Sequence, residues 1–281
     1  PAVDAEHLRQ HVTYLSETLF PRSFDHPGKL RAASRYIQEQ FVAAGATVVV
    51  QDVIVQDEKF NNVIARFGPA TGKLLVIGAH YDSHGDTPGA DDNASGVAGL
   101  LELARLFAKH PPTQPVELVA YTLEEPPHFR TDDMGSVWHA RSVQGKPVEM
   151  MIALEMLGYF KDEEGSQSYP VAHMEKIYPT RGNFIGIVGR FSEWAEVRKL
   201  KAAMAGSSDL PVVSINAPPA LPGVDFSDHR SYWAVDIPAV MVTDTAFFRN
   251  PNYHQAGDVA GNLDYVRMAK VVQGVFAFTQ R

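Results

Sequence analysis

Short apolar, β-branched runs alternate along this chain with amphipathic segments of helical period, and few folds tolerate that pattern. Residues 47–55, 62–67, 73–79 (KLLVIGA), 116–123 (VELVAYTL), 150–154, 184–188, 212–215 and 239–243 read as strands. Residues 94–108, 134–143, 192–205, 228–235 and 262–279 read as helices between or after them. Two further helices are expected at 4–20, behind a capping Asp4, and at 27–44, ended by Gly45. The first two strands are close enough to pair antiparallel. KLLVIGA is continuously apolar, as a strand buried on both faces must be. Such alternation predicts an α/β layered sheet. No Gly/Ser-rich or Pro-rich linker interrupts it, so one domain is expected over 1–281. Residues 158–182 lack periodicity and are expected to form an insertion-like loop at the rim of the site.

Composition removes several function classes. With 45% hydrophobic residues in 281, the chain has ample material for a packed core. Lys+Arg total 25 against 33 Asp+Glu, a net charge of −8 without a basic block, which argues against nucleic acid or an anionic membrane as the main partner. No apolar run approaches the ~18 residues that span a bilayer. The chain begins at Pro1, so a preceding segment or Met is expected to have been removed, and the compartment stays open. There is no cysteine, hence no disulfide, thiolate-held metal or thiol nucleophile. HExxH, GxSxG, GxGxxG and GxxxxGK[ST] are also absent.

The remaining chemistry sits at strand ends. His80-Tyr81-Asp82 follows KLLVIGA, Glu124-Glu125 follows VELVAYTL, Glu155 follows 150–154, and Asp244 and then Tyr253-His254 follow 239–243. Carboxyl ends of strands line the ligand crevice of open α/β sheets. Taken singly, Asp91-Asp92-Asn93 reads as helix N-cap chemistry and Glu124-Glu125 as a solvated strand end. Gathered at one edge, Asp82, Asp92, Glu124, Glu125 and Glu155 would repel, and need either a cation or raised pKa values. Two His with several carboxylates and no thiolate suit Zn²⁺, with Mn²⁺ or Co²⁺ as alternatives. Of two neighbouring glutamates whose side chains diverge, one can bind metal while the other stays free as a base.

In order along the chain, His80-Tyr81-Asp82-Ser83, Gly89-Ala90-Asp91-Asp92-Asn93-Ala94-Ser95-Gly96, Glu124-Glu125, Leu154-Glu155-Met156, Ser227-Asp228-His229 and Tyr253-His254 through Asp258 resemble the dizinc exopeptidase family. That family includes bacterial aminopeptidases, glutamate carboxypeptidase II and the glutaminyl cyclases. The resemblance implies a three-layer sandwich with a central mixed, mostly parallel sheet flanked by helices. It also implies two Zn²⁺ per chain. His80 and Glu155 would bind one, Glu125 and His254 the other, and Asp92 would bridge them. Asp82 would orient His80 through its other nitrogen, Glu124 would be the general base, and Tyr253 would hydrogen-bond the oxyanion. Asp228 and Asp258 match motif positions as supports, and the Asp92–Asn93 peptide is expected to be cis.

The implied activity is an aminopeptidase that hydrolyses N-terminal residues from a peptide or small aminoacyl substrate through a metal-bridging hydroxide. A glutaminyl cyclase-like acyltransferase with a single zinc is the alternative on the same fold. A carboxypeptidase would need an Arg for the substrate carboxylate, with Arg130, Arg181, Arg190, Arg230 and Arg249 as candidates. A metal-free binding domain would not need this set of side chains. Asn93 departs from the further Asp of some family members. Trp138, Trp194 and Trp233 are expected to pack in the core or an interface, with Phe226 or Trp233 as candidate pocket walls. His128, His139 and His173 are expected to be structural or on the surface.

Overall fold

The β-branched stretch after Gly45 forms β1 (Thr47–Val55) and turns back through Gln56 and Asp57 into β2 (Glu58–Phe67). Both turn residues have positive φ, which matches the right-handed twist of a two-residue hairpin. β2 starts four residues before the apolar run at 62 because it is an edge hairpin, where Glu58 and Lys59 remain exposed. The other strands are β3 (Leu74–His80), β4 (Val116–Tyr121), β5 (Val148–Glu155), β6 (Ile185–Gly189), β7 (Val212–Asn216) and β8 (Ala239–Thr243). In this computed structural model, which describes residues 2–281, they form one sheet in the order β1-β2-β4-β3-β5-β8-β6-β7. β4, β3, β5 and β8 are contiguous and mutually parallel, so their carboxyl ends share one edge. Antiparallel pairs flank this block, β1 and β2 on one side and β6 against β8 on the other.

Helices cover both faces. Leu75, Ile77, Leu118, Ala120, Ile152, Val240 and Val242 point to a core shared with α1 (Ala5–Thr13), α2 (Pro27–Ala43), α3 (Gly96–Phe107), α5 (Trp194–Ala205) and α7 (Tyr265–Thr279). The alternate residues Val76, Val119, Tyr121, Met151 and Met241 point to the opposite core, under α4 (Gly135–Val143) and α6 (His229–Trp233). The period-2 alternation of a strand thus makes three layers.

Several element ends shift from the sequence reading for local reasons. The first helix leaves α geometry after Thr13 in a wide turn over Tyr14–Thr18. α7 begins at Tyr265, because the Asp264 carboxylate accepts from the Arg267 amide. The Asp91-Asp92-Asn93 run is more than a helix cap, although Asn93 Oδ1 does accept from the Gly96 amide. It forms an irregular turn, and α3 begins at Gly96, where any Cβ would lie 2.5 Å from both Leu154 O and Asn93 Oδ1. Trp194 is exposed, outside the core. Among the described residues no helix is long and apolar enough to cross a membrane.

Candidate active site

The strands deliver the acids by turning sharply at their ends. Leu123, Met156, Thr245 and His254 all take positive φ beside Glu124, Glu155, Asp244 and Tyr253, a left-handed conformation that costs energy for residues with a Cβ. The VELVAYTL strand accordingly stops at Tyr121, and Leu123 turns Glu124 and Glu125 inward.

Asp92 lies at the centre. Its Oδ1 is 3.3 Å from His80 Nε2 and its Oδ2 is 3.1 Å from His254 Nε2. His80 Nε2 is also 3.3 Å from Glu155 Oε2, and His254 Nε2 is 3.1 Å from Glu125 Oε2. Two half-sites therefore share one carboxylate. Glu124 Oε2 stands farther off, 3.7 Å from His80 Nε2. The carboxylates, together with Tyr253 and His254, line a cavity of about 640 Å³ whose other walls include Phe129, Phe226 and Phe247. Trp233 is not among its walls; its indole donates to Ala239 O behind α6.

Backbone amides and side chains hold these groups in place. The Asp82 carboxylate accepts from the amides of Glu124 and Glu125, at 3.1 and 2.9 Å. His80 Nδ1 faces the Asp82 carbonyl at 3.1 Å and its carboxylate at 3.4 Å. Asp258 does for Asp92 what Asp82 does for the glutamates, accepting from the amides of Asp91 and Asp92 at 2.9 and 3.0 Å. Ser227 donates to Glu155, and Asp228 is fully buried behind the site, its carboxylate without a hydrogen-bond partner among the described residues. The Asp92–Asn93 peptide is cis. Asn93 donates to Leu154 O and accepts from the amides of Gly96 and Met156, a combination an Asp could not make.

Three supports have roles that the sequence did not assign, although Asp91 and Asp244 stood out there by position. Arg22 is fully buried and donates to the carbonyls of Leu15, Tyr81, Pro88 and Gly89, tying the loops around His80 and Asp92 together. Asp91 accepts from Gly158 N and Asn250 Nδ2. Asp244, buried beside it, accepts from Tyr159 N and Ala246 N. Only positions next to recognised motif residues hinted at Asp91. Nothing in the sequence pointed to Arg22. His128 and His139 are buried in structural contacts, with Asp133 and with Glu117 and Tyr232 respectively.

Electrostatics show what the acids lack. Burial disfavours a charged His80, but Glu155 and Glu124 outweigh it and raise its pKa well above the ordinary value. Burial likewise opposes charge on His254, yet Asp92 and Glu125 raise it to about 10. Burial would raise Asp92, but the His254 and His80 imidazoles beside it outweigh burial and lower it. Burial pushes Glu155 up to about 7 and Glu124 well above its usual range, with Glu125 and Glu155 adding to the latter. Protonated imidazoles thus do what a cation would do.

The donor set fits zinc. Ligand atoms on a tetrahedral zinc with bonds of ~2.0–2.2 Å lie roughly 3.3 Å or slightly more apart, close to the separations of 3.1 and 3.3 Å here. His254 Nε2 and Glu125 Oε1 are buried without a hydrogen-bond partner among the described residues. Groups that could hold an ion include His80-Asp92-Glu125 and His80-Glu124-Glu155.

A second, apolar cavity of about 770 Å³ adjoins the first and shares Glu155, Phe226, Ala246 and Phe247 with it. Its walls come from β6, β7 and β8 and from Tyr169 and Tyr178 of the 158–182 loop.

Comparison with known proteins follows the same lines. A family model described as Peptidase family M28 matches residues 62–279. The Escherichia coli (strain K12) protein described as uncharacterized protein YfbL is 52% identical over 278 residues, 96% of this chain and 86% of that one. A probable leucine aminopeptidase of Arthroderma otae is 26% identical over 274 residues, covering 86% of this chain and 67% of its own. A glutaminyl cyclase structure from Bacteroides thetaiotaomicron has the same fold, with a TM-score of 0.75 at 20% identity, covering 99% of this chain and 98% of its own.

Proposed function

The chain belongs to peptidase family M28, and on that premise we propose that it is a zinc-dependent aminopeptidase acting on peptides with an apolar N-terminal residue. The observation that carries this reading is Asp92, with one oxygen toward each histidine, beside a glutamate left out of both half-sites and an apolar cavity opening at Glu155.

In this reading His80 and Glu155 hold one zinc, Glu125 and His254 the other, and Asp92 contributes to both. Bound zinc polarises a scissile carbonyl and brings the pKa of a water toward ~7. Glu124 takes a proton on its carboxylate and delivers it to the leaving amine. Its raised pKa, set by burial and by Glu125 and Glu155, suits a group that must hold a proton between two steps. Tyr253 keeps its phenol proton, since burial and the surrounding carboxylates raise its pKa, and it serves as hydrogen-bond donor to the developing oxyanion. The substrate's first side chain enters the apolar cavity against Phe184, Met241 and Phe248, while its α-amine stays near Glu155 at the junction.

Metal analysis combined with turnover tests the reading. Two zinc ions per chain, with release of leucine or phenylalanine from their anilides, is the expected result. One zinc with cyclisation of an N-terminal glutaminyl peptide and no hydrolysis would assign the site to acyl transfer instead.

A further inference from the structure

His80 and His254 are held by different forces. His80 is almost fully buried, and its Nδ1 faces Asp82, the common arrangement in which a ligating imidazole is oriented through its second nitrogen. Among the described residues His254 has no such partner. It lies on a loop at positive φ, and its ring is flanked on both faces by aromatic rings. Tyr253 stacks on one face at 3.8 Å between centroids and 18° between planes. His84 stacks on the other at 3.9 Å and 3°.

His84 comes from the loop that follows Asp82-Ser83, and neither the family motifs nor the proposed reaction uses it. Its side chain is 36% exposed, but its Nδ1 is buried, lacks a hydrogen-bond partner among the described residues and lies 3.6 Å from Glu125 Oε2. His84, Glu125 and His254 bring ligand atoms within 4.8 Å of one another, but with the two rings this nearly parallel they do not both aim a nitrogen lone pair at one ion. An ion in the plane of the His254 ring lies well beyond a ~2.1 Å zinc–nitrogen bond from a ring stacked on it. The face of the His84 ring is what remains in contact with His254.

We propose that His84 is a positioning residue: it clamps the His254 imidazole against Tyr253, so that Nε2 stays aimed between Asp92 and Glu125, and so sets how firmly zinc is retained on that half-site alone. The inference rests on the two-zinc reading above. Stacking restrains tilt of the ring and resists loss of aim, where a hydrogen bond would fix aim through one atom. Loss of one aromatic pair corresponds to a factor of roughly 3 to 10.

The test follows zinc release to a chromophoric chelator from the fully loaded protein, with total zinc counted by mass spectrometry. For His84→Ala, one of two zinc equivalents is expected to leave about 3 to 10 times faster, and the other at the wild-type rate. His84→Phe, which keeps a flat ring and removes both nitrogens, is expected to restore slow release. His84→Asn, which keeps polar atoms without the ring, is expected to behave as His84→Ala does. Unchanged release in His84→Ala, or rescue by Asn and not by Phe, overturns the clamp while leaving two zinc ions in place. A wild-type chain saturating at one zinc overturns the two-zinc reading, and the clamp with it.

Discussion

The two halves of the site differ in what holds them. His80 and Glu155 stand at the ends of adjacent parallel strands, β3 and β5, with His80 1% exposed and ringed by carboxylates. Glu125 and His254 sit past a strand end and on a loop, with the His254 side chain 20% exposed and stacked between rings. One half is made rigid by the sheet and the other by side-chain packing over it. The first half is shielded from solvent by the sheet, whereas the second lies closer to the surface.

Glu124 belongs to neither half, and its loss should have the largest effect. Glu124→Gln is expected to lower kcat by ~10²–10⁴-fold with zinc content unchanged. Turnover near the wild-type level at equal zinc loading would move the proton-carrying role elsewhere. Next comes the direct contrast between the histidines. In zinc-free protein, His80→Ala leaves Asp92 and Glu155 without a compensating cation and is expected to cost about 3–5 kcal/mol in denaturant unfolding. His254→Ala also removes a cation from between two carboxylates, Asp92 and Glu125, but at a more solvated position, and should cost less, about 1–3 kcal/mol. Equal losses would abolish the asymmetry.

The two amide-binding carboxylates come third. Asp82→Asn and Asp258→Asn each replace a carboxylate that accepts from two backbone amides, and each is expected to lower zinc affinity by about 10–100-fold. Asp82→Asn should act on His80 in one half and on Glu125 in the other, and Asp258→Asn on the shared Asp92, so each should weaken both zinc equivalents. Competition titration with a chelator reads this directly.

The last effect is on pH dependence, where Glu155 and His254 should differ in range. Glu155 has a pKa of about 7, raised by burial, so the metal-free fold retains a proton that the unfolded chain gives up. Its contribution to stability therefore falls between the unfolded carboxyl value of ~4.3 and about 7. His254 is raised to about 10, and its contribution is full below ~6.5 and lost as pH rises through 10. Both slopes have the same sign, so the Tm of metal-free protein should fall with rising pH, and the Tm gain on adding zinc should grow. A zinc-induced gain that shrinks from pH 5.5 to 8.5 would contradict the assigned shifts.

Much of this was legible before any coordinates, because strand ends are marked in sequence. His80, Glu124 and Glu155 follow apolar runs directly, and a parallel sheet brings such positions together regardless of loop length. Other features depended on contacts that leave no local trace. Asp258 meets the amides of Asp91 and Asp92 more than 160 residues away, and Arg22 binds four carbonyls from a segment that reads as an ordinary loop. Asp91-Asp92-Asn93 looked like cap chemistry because the same residue types suit both roles, and only the turn's geometry separates them.

Sequence alone determined the layered α/β class, the edge at which chemistry collects, and, by excluding thiolates, that any metal would be held by nitrogen and oxygen. Those follow from periodicity and from residue types, which are local properties. Tertiary structure alone decided which oxygen of Asp92 faces which histidine, that His254 is held by stacking, and that an apolar cavity opens beside Glu155. Each depends on distances between segments far apart in the chain, which hydrophobic pattern and spacing leave undetermined until the layers pack.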